Sequence, residues 1–521
     1  MNQRLSSLLS VMLLTSATAF AQTDLKVDYT DRQFLGNVAA ESSNPVAVHY
    51  MPISDLADLH LGYRYENGDL HLIDGANISS AWEASFSGMK RVGKVTFNGF
   101  LVYNNSSLRE RRWNNTLFVS DRNPFIIADS LKSTFNPETF HLHGGAAYKP
   151  SKNLLLGLAA TYLVGSSATQ KDPRPEIKGM RFRLTPGVEY TFGQHAVGIS
   201  GEVEWLSEEV THTVVKTTTK QYLLLFQGLG VFETKDAVGY RRKYNGTHWG
   251  VQAQYVFNNS GDARISNFLE GGFFSEFEDA TDGKNAQRYK GGRYSATGFR
   301  ASERFCLRPS ERTAHNFTLS GSMASSKGKW YTQRTSTDEN GNIIYETINA
   351  SDNLEATDMT AQLGYRFDRL TSSGLPLFQG EATLGFENSE TKNKVYGAKE
   401  SYSNALLNLD ATRRFPLKKG VIAVGLNAGC RIKLQSSLKL SGMPETYDRI
   451  MQLYTRPAFH AEIADSWQAG ASLTYSLPIR ILGYGSVMEI GVDGGYISRI
   501  NEDKYVGSDR LNIGARFGFV F

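Results

Sequence analysis

Apolar and polar residues alternate with a period of two from about residue 56 to the last residue of this chain. In residues 511–521 every odd position is apolar, and the even positions are small or polar apart from Val520. Residues 180–192 and 197–205 repeat this pattern on either side of a short turn that contains Gly193. Successive side chains of a β-strand point to opposite faces, so each segment predicts a strand with one apolar face. No segment shows a sustained helical stripe, which predicts an all-β protein.

A soluble β-sandwich would alternate in the same way, so the connections between strands decide the architecture. Short connections alternate with long polar ones, and the short ones lie near residues 91–93, 150–152, 193–195, 258–261, 309–310, 370–375, 416–418 and 479–484. This asymmetry is typical of a closed antiparallel transmembrane β-barrel with short periplasmic turns and long extracellular loops. The eight turns join sixteen strands, and segments at about 56–66 and 509–521 bring the predicted number to eighteen, within a range of 16 to 20.

The first residues have the three regions of a secretory signal peptide. Arg4 precedes the apolar run Leu8–Leu14, and Ala19-Phe20-Ala21 forms a cleavage site, so we predict a signal peptide over 1–21. The barrel is predicted over 53–521, which leaves 22–52 as a short N-terminal segment. A net charge of +4, from 56 basic and 52 acidic residues, does not favour a nucleic-acid partner. Two cysteines, Cys306 and Cys430, exclude a disulfide scaffold.

The signal peptide, Gln22 as the expected new N-terminus and the final strand, which ends Phe517-Gly518-Phe519-Val520-Phe521, resemble those of bacterial outer-membrane β-barrel proteins. More narrowly, the chain resembles an uncharacterised family of Bacteroidota-type barrels. The resemblance implies that it lies in the outer membrane of a Gram-negative bacterium, in contact with outer-membrane lipid and lipopolysaccharide. It also implies that Phe519 and Phe521 belong to the signal that the barrel-assembly machinery reads. It implies no substrate or reaction.

The segment 22–52 is too short for the plug domain of TonB-dependent transporters. It could occupy the lumen or extend into the periplasm, and the sequence leaves both placements open. An Asn44-Pro45 turn followed by Val46, Val48 and Tyr50 predicts partial order in this segment.

The polar face of the predicted strands carries charges of both signs. If this face points inward, the lumen receives Arg181, Arg183, Glu202, Glu204, Arg300, Arg304, Arg366, Arg431, Glu489, Asp493 and Arg516. Arginines that face carboxylates across a pore would select solutes by charge and orientation. Alternatively, neighbours such as Arg183 and Glu204 pair with each other inside a filled barrel. The mixed signs argue against strong selectivity for anions or cations.

Two predicted extracellular loops are unusually apolar. The loop 209–245 contains Tyr222, Leu223, Leu224, Leu225, Phe226, Leu229 and Phe232, and the loop 105–137 adds Trp113, Leu117, Phe118, Val119, Phe125 and Ile126. Such residues should not remain in water. They could form a constriction or ligand site in the mouth, rest on the outer leaflet, contact a partner protein, or pack on themselves above the barrel.

Enzymatic chemistry finds little support in the sequence. His141 and His143 lie two residues apart, but no nucleophile motif of the G-x-S-x-G type accompanies them. A lone H-x-H pair lacks the further ligands that make a metal site specific. We therefore predict no enzyme, no metal and no cofactor.

The sequence favours a channel or transporter for a small solute, hydrophobic if the apolar loops line its path. The alternative is a closed accessory barrel that binds another envelope protein or a surface ligand.

Overall fold

The computed structural model describes residues 38–39, 42–51, 55–216, 218–259, 263–283, 288–341, 343–371, 376–481 and 484–521. The predicted signal peptide over 1–21 lies outside these residues. The strands are β1 (Asp55–Gly68), β2 (Ile78–Val92), β3 (Val95–Arg111), β4 (Ile127–Ala128), β5 (Ser133–Phe135), β6 (Glu138–Tyr148), β7 (Leu154–Ala168), β8 (Pro175–Phe192), β9 (His195–His212), β10 (Tyr222–Gly228), β11 (Val231–Asp236), β12 (Arg241–Phe257), β13 (Ile265–Asp282), β14 (Tyr289–Ser310), β15 (Thr313–Thr337), β16 (Ile343–Leu370), β17 (Pro376–Asn393), β18 (Lys399–Leu417), β19 (Gly420–Lys439), β20 (Ser466–Ile481), β21 (Tyr484–Arg499) and β22 (Asp509–Val520).

Helical structure is confined to two places in the described residues. A 3-10 helix spans Pro45–Tyr50 in the N-terminal segment. A second helical segment lies between β19 and β20 and consists of Glu445–Tyr447, Asp448–Ile450, Met451–Thr455 and Arg456–Glu462. Helices are few, which agrees with the predicted all-β class. Among the described helices, none has the length and apolar character needed to cross a membrane.

Eighteen strands form one closed antiparallel barrel, which confirms the predicted fold and strand number. The strand β1 pairs with β2 along one edge and with β22 along the other, so the sheet has no free edge. Closure satisfies the backbone hydrogen bonds that an open sheet would leave unpaired in lipid. Short connections join β2 to β3, β6 to β7, β8 to β9, β14 to β15 and β18 to β19 on one side of the barrel, within two residues of the predicted turns. The other three predicted turns, at 258–261, 370–375 and 479–484, include residues outside the described ones. We call that side of the barrel the turn end and the opposite side the loop end.

The exterior of the barrel is apolar. Leu319, Leu363 and Leu384 are directly paired across β15, β16 and β17, and each is more than half exposed. Exposed leucines that neighbour one another on three strands would be unfavourable in water and suit the acyl chains of a bilayer. This surface is the lipid-facing band of a transmembrane barrel.

Aromatic side chains mark both borders of this band. Near the turn end the rings of Phe317 and Tyr365 lie 5.1 Å apart, and nearer the loop end Phe182 stacks on Trp205 at 5.9 Å. Ten residues separate His195, at the turn end of β9, from Trp205. At about 3.3 Å per residue and a tilt of about 40°, they span about 25 Å, the height of a lipid-facing band.

Several strands continue beyond the predicted loop boundaries. The strand β3 reaches Arg111 and β9 reaches His212, so the predicted loops 105–137 and 209–245 both begin too early. Within the described residues, β15 beyond Lys329 and β16 before Leu354 pair only with each other. They form a two-stranded ribbon that projects from the loop end.

Candidate functional site

The described part of the N-terminal segment, residues 38–39 and 42–51, lies inside the barrel near the turn end. The Asn44 side chain donates hydrogen bonds to the carbonyl oxygens of Val188 on β8, at 3.2 Å, and Ile199 on β9, at 3.4 Å. Its Oδ1 accepts a hydrogen bond from the Val46 amide, which caps the 3-10 helix. Tyr50 donates a hydrogen bond to Glu189. Of the two placements that the sequence left open, the described part of this segment has the luminal one.

Two glycines make room for this segment on the barrel wall. A Cβ at Gly157 would lie 2.7 Å from the Val46 nitrogen, and a Cβ at Gly187 would collide with Asn44. Such a close approach is possible only where the wall residue has no side chain. The wall and the segment are therefore complementary in shape.

Further contacts extend this closure across the lumen. The Ser42 hydroxyl donates to Gln254 on β12 and lies 3.0 Å from a carboxylate oxygen of Glu270 on β13. Val38 and Ala39 pack with the buried thiol Cys306 on β14. The segment thus bridges from β8 to β14 and covers much of the turn end.

Three connections at the loop end fold together, and we call them the cap: residues 112–137, residues 213–240 and the helical segment 445–462. In the cap, β4, β10 and β11 form a small three-stranded sheet. Trp113, Phe226 and Ile450, one from each connection, share one buried apolar cluster. The Phe226 ring stacks on Tyr454 at 4.4 Å.

Buried charges on the barrel wall hold residues 112–137 in the lumen. The Glu208 carboxylate accepts hydrogen bonds from the backbone amides of Leu117, at 2.9 Å, and Phe118, at 2.5 Å. Glu278 accepts from the Asn123 side chain at 2.8 Å, and Arg242 donates to the carbonyl oxygen of Phe125. An irregular loop inside a barrel needs such partners for its backbone polar groups.

The predicted lumen charges on the β8–β14 side form one paired network. Arg181 lies 2.7 Å from Glu204, and Arg183 lies 2.8 Å from the same carboxylate. Arg300 on β14 contacts Glu202 on β9 at 2.5 Å, although two strands separate them in the sheet. A contact between non-adjacent strands is possible only if both side chains point inward. On this side the structure has the pairing that was the alternative to a selective pore.

His248 on β12 joins this network between two carboxylates. Its Nε2 lies 3.1 Å from Glu202 and its Nδ1 lies 3.1 Å from Glu276. Sequence reasoning missed Glu276, Glu278 and Glu208, although all three continue the inward register of their strands.

The other predicted lumen charges are spread over β14 and the strands from β16 to β22. Arg366 lies 2.9 Å from Asp368, Arg431 lies 3.3 Å from Glu387, and Arg304 lines a cavity near the turn end. Their positions do not form one cluster. Glu489 accepts a hydrogen bond from Ser476, Arg516 donates one to Thr474, and Asp493 lines a separate cavity of about 220 Å³.

The predicted apolar loop is packed inside the cap. Leu223, Leu224, Leu225 and Phe226 are buried, Leu229 and Phe232 are half-buried, and Tyr222 is exposed. These side chains pack against other residues of the cap, and Phe226 and Leu229 also line a cavity below it. Phe519 and Phe521 lie at the end of β22, with their rings 6.3 Å apart. Their role in assembly stays a prediction.

Three cavities follow the β14–β18 wall from the cap towards the turn end. The first, below the cap, has a volume of about 1000 Å³, the second about 430 Å³ and the third about 220 Å³. Thr360, Glu387 and Leu406 line both the first and the second. Gln362 and Thr383 line both the second and the third, which ends against Val38. The three cavities are therefore adjacent to one another along this wall.

Sequence reasoning missed the helical segment 445–462, which forms part of the first cavity. Its apolar residues have helical spacing. Ile450, Tyr454 and Ala458 are four residues apart, and Met451 and Phe459 lie eight residues apart on the neighbouring row. This short pattern was the available signal. No group of three or more potential metal ligands occurs in the described residues.

The sequence of residues 45–521 matches the model of a family of unknown function, DUF6850. The chain belongs to this family. The match covers the described 3-10 helix and the whole barrel of this DUF6850 member. No curated protein sequence matches it. The Bacteroidota origin that the resemblance named stays a prediction.

Several solved barrels are similar to this DUF6850 member in outline. The Pseudomonas putida toluene transporter TodX has a TM-score of 0.30 and 10% identity, and the match covers 93% of each chain. A Pseudomonas aeruginosa FadL homologue has a TM-score of 0.30 and 12% identity, with 94% of each chain covered. The ferric yersiniabactin uptake receptor FyuA of Yersinia pestis has a TM-score of 0.41 and 10% identity, with 89% of this chain and 80% of that chain covered. These scores are low, and the closed strand order is what defines the fold here.

Proposed function

We propose that this protein is an outer-membrane channel or transporter in which a small solute passes along the β14–β18 wall. The observation that carries this proposal is the row of three cavities with shared walls. The middle cavity has seven neutral polar side chains in its lining, Ser302, Ser320, Ser322, Thr360, Gln362, Thr383 and Asn408, beside apolar residues and the charged Glu270, Arg300 and Glu387. Hydroxyl and amide groups exchange hydrogen bonds with a passing solute or with water without holding it tightly.

The two walls of the lumen have different functions in this proposal. The β8–β14 side is filled by paired charges that hold the cap, and so it offers little free space. The β14–β18 side keeps the route. The cap closes the route at the loop end, and the N-terminal segment closes it at the turn end. Passage therefore requires both to move.

A cysteine at Ser322 tests whether the route is wet. Ser322 lines the middle cavity, whereas the next residue, Met323, faces outward and is 52% exposed on the lipid-facing surface. In a Cys306→Ser, Cys430→Ser background that also lacks residues 38–51, so that the route is open at the turn end, Ser322→Cys in vesicles should react with a small polar thiol reagent at least about tenfold faster than Met323→Cys. Thiols react as thiolates, which form in water and not among acyl chains.

Equal rates, or a faster reaction at Met323→Cys, would contradict the proposed route. Both positions lie on β15 and differ only in the face that they occupy, so a general folding defect would affect both variants alike.

A second candidate function, binding of another envelope protein or a surface ligand, is favoured by one observation. The β15–β16 ribbon projects beyond the barrel and exposes Ile343, Ile344 and Ile348. Exposed isoleucines on a projecting ribbon would suit contact with a partner. An unreactive Ser322→Cys would favour this function over passage.

A further inference from the structure

The cavity below the cap has one apolar side and one acidic side. Phe226, Leu229 and Tyr454 of the cap and Leu354 of β16 supply apolar and aromatic surface. Six carboxylates line the cavity, against the three cations Arg122, Lys327 and Arg431. Besides Asp74 and Asp121, these are Asp358 on β16, Glu387 on β17, Glu400 on β18 and Glu462 on the helical segment 445–462, and we call these four the acidic side. The volume of about 1000 Å³ would hold an organic molecule of moderate size.

Two arginines offset these four carboxylates only in part. Arg431 lies 3.3 Å from Glu387 and 3.7 Å from Glu462. Arg122 lies 3.5 Å from Asp358. The group of six side chains therefore keeps an excess of negative charge.

The negative charge of Glu400 is not compensated by a partner side chain among the described residues. In the part of the chain that the structure describes, its side chain has no hydrogen-bond or ion-pair partner, although it is half-buried. Glu462 and Asp358 are near enough to repel its negative charge. Withdrawing a carboxylate from water without a partner is costly, and a bound cation would remove that cost.

The carboxylate of Glu462, on the helical segment 445–462, also lacks full compensation of its negative charge. Burial raises the pKa of the Glu462 carboxyl, with Arg431 opposing and Glu387 adding to the shift. Raised pKa values indicate that negative charge in this corner is under-compensated. Because the described carboxylates do not form a three-ligand metal site, they suit an organic cation better than a metal ion.

We propose that the cavity below the cap binds an organic ammonium compound with an apolar body. The ammonium group lies among Glu400, Glu462 and Asp358, and the apolar part lies against Phe226 and Tyr454. This inference rests on the proposed function, because it names the class of solute that enters the route.

Calorimetric titration of the full barrel in detergent tests the site with three probes of equal size. The three probes have similar apolar chains, and their head groups are positive, neutral and negative. Hexylammonium should therefore bind about tenfold more tightly than 1-hexanol, and hexanoate should bind least. Equal affinity for hexylammonium and 1-hexanol, or tighter binding of hexanoate, would overturn the proposal.

Two substitutions should change the affinity for hexylammonium in opposite directions. Glu400→Gln should weaken binding about fivefold, and Arg431→Gln, which frees Glu387 and Glu462, should strengthen it about threefold. The matched control Glu445→Gln, on an exposed residue of the same helical segment, should change affinity less than about twofold. A gain of affinity in Arg431→Gln cannot come from misfolding. An unchanged affinity in either Glu400→Gln or Arg431→Gln would overturn the site.

These outcomes separate the site from the route. Binding of hexylammonium together with an unreactive Ser322→Cys would support the proposed site and contradict the proposed route. A reactive Ser322→Cys without charge-dependent binding would support the proposed route and contradict the proposed site.

Discussion

Displacing the N-terminal segment will expose the thiol of Cys306 to water. In the native barrel this thiol is 4% exposed, and Val38 and Ala39 belong to the buried cluster that surrounds it. The hydrogen bonds of Ser42 and Asn44 hold the segment in place, and each such bond contributes roughly 1 kcal/mol. Loss of about 3 kcal/mol of these interactions should raise the labelling rate of Cys306 about a hundredfold.

Gly187→Leu is the substitution that displaces the segment without shortening the chain. Its side chain would occupy the space of Asn44, whereas the matched control Gly144→Leu points into open space. In a Cys430→Ser background, the rate of labelling with a polar maleimide measures the exposure of Cys306. Deletion of residues 38–51 is the second variant. Unchanged labelling in both Gly187→Leu and the deletion would contradict the luminal closure.

Removing one aromatic ring from the cap should loosen the whole cap. Phe226 is 3% exposed and stacks on Tyr454, so Phe226→Ala should cost the cap about 3 to 5 kcal/mol. The helical segment 445–462 packs on this ring and contains one trypsin site, the bond after Arg449. Cleavage there should become at least about a hundredfold faster, since each 1.4 kcal/mol corresponds to a factor of ten in opening.

The control for this experiment lies on the same strand of the cap. Tyr222 is 53% exposed, so Tyr222→Ala should leave the cleavage rate within about twofold of the native rate. Resistance to trypsin in Phe226→Ala, at the native level, would mean that the cap is held by the barrel wall alone. Intact heat-modifiable migration of the barrel would show that the substitution acts on the cap and not on the barrel.

The sequence predicted the barrel because its signals are local. Each strand shows its period of two within ten or so residues, and each turn lies beside the strands that it joins, so eighteen strands and eight turns follow from neighbouring positions. Strand ends were less certain, since β3 and β9 continue into loops whose composition resembles that of strands. The helical segment was missed because its spacing persists for fewer than four turns.

The interior of the barrel could be predicted only in part. The inward register of Arg181 and Glu204 follows from alternation. The contact of Arg181 with Glu278 does not, because these two residues are 97 positions apart in the sequence. Whether the apolar loop lies in the mouth or outside depends on Trp113 and Ile450, which no pattern near residue 226 reveals. The alternation of apolar and polar residues within one loop does not show which distant loop it packs against.

Single-channel conductance in a planar bilayer tests the central claim, that two closures in series control one route along the β14–β18 wall. Four proteins are compared: the intact barrel, a barrel whose residues 222–232 are replaced by a short Gly-Ser turn, a barrel without residues 38–51, and a barrel with both changes. Two closures in series predict stable steps in the doubly changed barrel, little or no conductance in the other three, and block of the steps by reagent at Ser322→Cys. Silence of the doubly changed barrel, or steps of equal size in the intact protein, would contradict the account.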